Sequence, residues 1–205
     1  LNNTSTTFSG NWFVDYTGST TDDFVALRSG AAGALGTGSV TLDDRARLIN
    51  NAANGLNSLT GVSLLKSTSF LDLNGSNSWN NNAASLTLNA GTITLASANS
   101  SIGAMTIGGS ATLTGTTGNL APGSILITAG TLSGTGTLAP RDSATIANTG
   151  ATTGPAISAA LNLDASGITF NLIDSNLSGS DLFLNGAVTS LSLIHISEPT
   201  RQAEI

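Results

Sequence analysis

The sequence predicts an all-β chain, a single-stranded, right-handed parallel β-helix (β-solenoid) of about 20 residues per coil. Three observations predict it. Apolar-x-apolar pairs recur ahead of turns built from small residues. Leu86-Thr87-Leu88-Asn89-Ala90-Gly91-Thr92-Ile93 is repeated in pattern by Ile125-Leu126-Ile127-Thr128-Ala129-Gly130-Thr131-Leu132, with Met105-Thr106-Ile107-Gly108-Gly109-Ser110 between them, so the first positions step by 19 and then 20 residues. Charged residues make up only 9% of the chain, too few for the Glu- and Lys-rich surfaces that helices favour. An antiparallel sandwich or jelly roll would also show evenly spaced strands, but the repeat register and the 4% aromatic content favour the solenoid.

The elements follow in chain order. Trp12-Phe13-Val14-Asp15-Tyr16 and Phe24-Val25-Ala26-Leu27 read as strands in a less regular N-terminal third. Residues 43–55 read as a short helix or an irregular loop. Trp79, between Asn74-Gly75-Ser76-Asn77 and Asn80-Asn81-Asn82, reads as part of a protruding turn, where an exposed ring could stack on a sugar or equally cap the core. In the regular part, alternation places Leu86, Leu88, Ile93 and Leu95 inward and Thr87 and Thr94 outward. A further step from Ile125 lands on Ala144-Thr145-Ile146, and Leu161-Asn162-Leu163 and Leu182-Phe183-Leu184 continue the series. One such unit cannot bury its apolar side, whereas stacked coils build a continuous aliphatic core. Three short faces and three turns fill each coil.

Composition limits the partners. The net charge is −6 and no basic patch is present, so no nucleic-acid partner is expected. No apolar run is long enough to span a membrane as a helix. There is no Cys, which excludes disulfides. Leu1-Asn2-Asn3-Thr4 does not look like a natural start, so the N-terminus is expected to be missing. The sequence carries no signature of an oligomeric state.

The last fifteen residues change character. Leu191-Ser192-Leu193-Ile194-His195-Ile196-Ser197-Glu198-Pro199-Thr200-Arg201-Gln202-Ala203-Glu204-Ile205 holds the only His and both Glu residues of the chain. From Leu191 to Arg201 it resembles, codon for codon, the translation of a transposase-type sequencing adapter. Residues 191–205 are therefore read as a non-native tail, and residues 1–190 as a fragment of one solenoid domain. The solenoid part then has no His, Glu or Cys.

Within it, Phe8-Ser9-Gly10 and Ala34-Leu35-Gly36-Thr37-Gly38-Ser39-Val40-Thr41-Leu42 resemble the opening and close of the autotransporter-associated β-strand repeat. Leu132-Ser133-Gly134-Thr135-Gly136-Thr137-Leu138-Ala139-Pro140 resembles a later segment of the same family, with Arg141 where Gly usually stands. Ser180-Asp181-Leu182-Phe183-Leu184-Asn185-Gly186-Ala187-Val188 resembles the strand that tends to follow. The resemblance implies a parallel β-helix exported by a Gram-negative bacterium, secreted or held at the outer membrane. It brings no catalytic motif.

The expected function is a structural or adhesive surface scaffold whose partners are surface glycans, matrix or neighbouring cells. No catalytic, cofactor-binding or metal-binding residue is expected, and no cofactor. Triads and zinc sites need the His or Cys that the solenoid part lacks. Asp22-Asp23 and Asp43-Asp44 are the obvious carboxylate pairs, but neighbours on a strand point to opposite faces, and Asp in turns commonly serves the backbone. Asp43 and Asp44 beside Arg45 and Arg47 leave one competing expectation, an extracellular carbohydrate-active β-helix such as a polysaccharide lyase or glycan binder. Thr87, Thr92, Thr94, Thr106, Thr112 and Thr114 would stand outward in ranks on one flat side, offering hydroxyls to ice or a crystalline polysaccharide, although Thr is also simply a soluble β-former.

Overall fold

The computed structural model describes residues 8–18, 23–75, 77–96, 99–149, 155–173 and 182–190. The adapter-like tail, Asp22, Asp174 and Asp181 lie outside these residues. The fold is a β-solenoid in which every strand pairing among the described residues is parallel. Strands such as Ser39–Leu42, Gly61–Leu64 and Ser85–Leu88 form a first face. Val25–Ser29, Ala46–Asn50, Phe70–Leu73, Thr92–Leu95 and Ala111–Gly115 form a second. A third runs through Thr137–Leu138, Ala160–Asn162 and Val188–Thr189. Two long strands, Ser100–Ile107 and Asn119–Ile127, turn the corner between the third and first faces and join both into one sheet.

The core follows from alternation. Val40, Val62, Leu86, Met105, Ile125, Ile146 and Phe170 pair in register along the first face, and all are buried. These positions lie 19 to 24 residues apart, about 22 on average, somewhat more than the expected 20. Leu48, Leu71 and Ile93 stack likewise on the second face, and Leu120, Leu138 and Leu161 on the third. The expected inward set, Leu86, Leu88, Ile93 and Leu95, is buried, and Thr87 and Thr94 lie on the outer side.

Four expectations are corrected. Beyond Ile125 the column continues through Ile146, whereas the expected step placed Ala144 opposite it. Leu161 stacks on Leu138 in the third face, and Leu184 on Ile157 in the second, so neither extends the first-face column. Residues 46–50 form a strand where a helix or loop was expected, because Arg47 points outward while Ala46, Leu48 and Asn50 point inward. Trp79 is fully buried and belongs to the core. Asn80, Asn81 and Asn82 all take left-handed backbone, which Asn tolerates better than most residues. The chain thereby doubles back within one turn, and Ser78 Oγ donates to Asn82 Oδ1 at 2.9 Å.

The repeat-like segments have a packing reason. Phe8-Ser9-Gly10 lies directly over Gly36-Thr37-Gly38 of the next coil, where Thr37 N–H donates to Phe8 O at 2.9 Å. Gly36 has φ +79°, and a Cβ there would overlap Phe8 O, so only glycine fits this contact. Arg141 runs back across the two preceding coils, donating from Nη2 to Ile102 O at 2.9 Å and to Asn82 O at 3.4 Å. Its guanidinium occupies the space beside Gly123 that a side chain there would need.

Candidate functional site

Charge is unevenly placed along the solenoid. No charged residue stands between Asp72 and Arg141 in sequence, so three coils contribute only neutral side chains of their own, with the Arg141 guanidinium laid back over them at Ile102 and Asn82. Among the described residues, the first coils instead gather Arg28, Arg45, Arg47 and Lys66 with five aspartates and most of the aromatic rings.

Two clusters form there. At the corner before the Ala46–Asn50 strand, Asp44 accepts from Thr68 Oγ1 of the following coil at 2.6 Å and pairs with Arg45 at 3.4 Å. Arg45 has φ 45°, donates from Nη2 to Gly18 O at 2.6 Å, and lies 4.5 Å from the centre of the Tyr16 ring. Tyr16 in turn donates to Asp23 Oδ2 at 3.2 Å. These bonds tie the segment after the first strand down onto the corner of the next coil. The Thr68 hydroxyl, and then Arg45, hold the Asp44 carboxyl below the ordinary aspartate range.

A depressed folded pKa stabilises above the unfolded value, and the contribution is lost as pH falls through the folded pKa. Thr68→Val removes the largest cause, so Asp44 is expected to titrate nearer an ordinary aspartate. A carboxyl-carbon NMR titration checks this, and an unmoved Asp44 would show that Thr68 is not the cause.

The second cluster lies on the outer side of the second face. Arg47 Nε donates to Asp72 Oδ2 in the next coil, and Asp72 is 5% exposed. The Arg47 guanidinium also lies near two rings, 5.3 Å from the centre of Phe24 and 5.7 Å from that of Phe70. The doublet Asp43-Asp44 and the nearby Arg45 and Arg47 therefore do not converge. Arg45 serves the corner and Arg47 the face. Asp72, which the sequence reading did not single out, is the acid that Arg47 meets. The 25-residue separation, about one coil, was the only signal available.

The aspartates do serve turns, but across coils. Asp142 Oδ1 accepts from Ser166 N at 2.7 Å, one coil further on. Among the described residues no three carboxylate or imidazole groups gather as a metal site would require. The threonines divide between two faces, where ranks on one flat side were expected. Thr87 and Thr106 pair on the first face, while Thr92 pairs with Thr112, and Thr94 with Thr114, on the second. Thr114 Oγ1 donates towards Ile93 O at 3.2 Å and Thr94 Oγ1 at 3.3 Å. Trp79 is buried and offers no ring to a sugar.

Comparison with known proteins gives no match to a family model, to a curated protein or to a solved structure.

Proposed function

We propose that this solenoid is a structural or adhesive scaffold of the autotransporter-passenger type, displayed outside a Gram-negative cell. The observation that supports it best is repetition of neutral outer surface. Outward residues recur in register from coil to coil, and the stretch between Asp72 and Arg141 carries no charge at all. A rigid, neutral, ranked surface suits contact spread along its length. The fold alone does not specify this role.

The test is attachment. Beads coated with the full chain are expected to attach to cells or extracellular matrix, and soluble chain is expected to compete. Failure to attach to any such surface would overturn the reading. A second reading, a carbohydrate-active β-helix, draws on the Arg47–Asp72 pair and its flanking rings. Release of new reducing ends from a polysaccharide by the purified chain would favour it over the scaffold.

A further inference from the structure

We propose that the outer side of the second face is a binding strip for a linear, uncharged polysaccharide, an inference that rests on the adhesive reading and gives it a ligand class. The strip follows the rank Ala26, Arg47, Phe70, Thr92, Thr112 and Ser133, which pair in register from coil to coil. Six strands at the usual spacing make it about 24 Å long, enough for several sugar units in an extended chain.

The N-terminal end supplies the anchor. Arg47 is held by Asp72 at Nε and lies within cation–π distance of the Phe24 and Phe70 rings. Its side chain is still 35% exposed, and its two Nη groups make no hydrogen bond among the described residues. A guanidinium held this way is a preorganised pair of donors on an open surface, so little side-chain entropy is lost when it binds. Phe24 is 47% exposed and offers a ring face to the C–H side of a sugar. Beyond Phe70 the strip continues as threonine and serine hydroxyls.

The charge balance selects the class. Arg47 is already neutralised by Asp72, the rest of the rank carries no charge, and the chain as a whole is at −6, which repels polyanions. The donor pair is therefore matched to neighbouring hydroxyls of a neutral sugar. A carboxylate would gain no net attraction there.

Affinity electrophoresis of the full chain tests this, in native gels containing a soluble β-glucan, a galactomannan or polygalacturonate. Retardation is expected in at least one of the two uncharged glycans. Phe24→Ala and Arg47→Lys should each weaken it about tenfold, the loss typical of truncating an anchor. Phe13→Ala, a still more exposed phenylalanine on the first face, should leave it unchanged. Circular dichroism melts check that the variants fold. If Arg47→Lys does not fold, Phe24→Ala decides, because that ring is nearly half exposed. No retardation in either uncharged glycan, retardation in polygalacturonate alone, or undiminished binding by Phe24→Ala would overturn the strip. Cell attachment that persists without glycan retardation sinks the strip and leaves the scaffold standing. Absence of attachment by the parent chain sinks the scaffold itself.

Discussion

Leu88→Asp is expected to destabilise the solenoid by about 4 kcal/mol or more, because a carboxylate in an aliphatic stack has neither water nor a cation to solvate it. Leu88 is fully buried between Leu64 of the preceding coil and Ile107 of the following one. Neither neighbour can supply a hydrogen bond. Ile127→Asp, two coils further along the same column, should behave alike. Thr87→Asp, one residue away but on the outer side, should cost under about 1 kcal/mol, as surface changes usually do. Solenoid coils are stabilised chiefly by their neighbours, so the damage should spread outward from the substituted coil. Hydrogen exchange reads this directly. Protection should fall in Gly61–Leu64, Ser85–Leu88 and Ser100–Ile107 before it falls in the strand Thr145–Asn148. Equal stability of Leu88→Asp and Thr87→Asp would show that the inward assignment is wrong.

That assignment was legible in the sequence because alternation is local. Leu86 and Leu88 must share a side whatever surrounds them, and the steps of 19 and 20 to Met105 and Ile125 match the pairing found. The register beyond Ile125 was not legible. The motif apolar-x-apolar looks the same on all three faces, and only the lengths of the intervening turns decide which face receives it. Leu161-Asn162-Leu163 satisfies the pattern, yet it sits on the third face, while Phe170, in the less conspicuous Thr169–Asn171 strand, completes the first-face column.

Charge concealed the strand Ala46–Asn50 in a similar way. Asp43-Asp44 and Arg45 mark a corner, and Arg47 reads as its continuation, but one residue after Arg45 the chain is extended and Arg47 stands on the outer side with Ile49. The partner that makes this tolerable, Asp72, lies a full coil away and could be found only after the register was known. The candidate strip was illegible for the same reason. Phe24, Arg47, Phe70 and Asp72 come from three coils, and no local pattern links them.

Trp79→Ala is expected to cost about 3–5 kcal/mol, the range for removing a large buried aromatic side chain. Trp79 is 0% exposed and lies in the same continuous core as the stacked leucines. Its Nε1 has no hydrogen-bond partner among the described residues, so the indole contributes through packing while its N–H is a cost. Trp79→Phe should therefore be much milder than Trp79→Ala, since it keeps most of the ring and removes the unpaired donor. Urea unfolding of the two variants separates these contributions. Quenching gives a second measure. With Trp12→Phe in the background, the remaining indole emission should be blue-shifted and poorly accessible to acrylamide. The flanking asparagines suggest an exposed sugar-stacking ring, and on that reading Trp79→Ala would change stability by less than about 0.5 kcal/mol and quenching would be easy. Asn80, Asn81 and Asn82 decide between the two geometries. Their left-handed backbone turns the chain tightly enough to return the indole to the core, so the polar run that suggests an exposed tryptophan is what buries it.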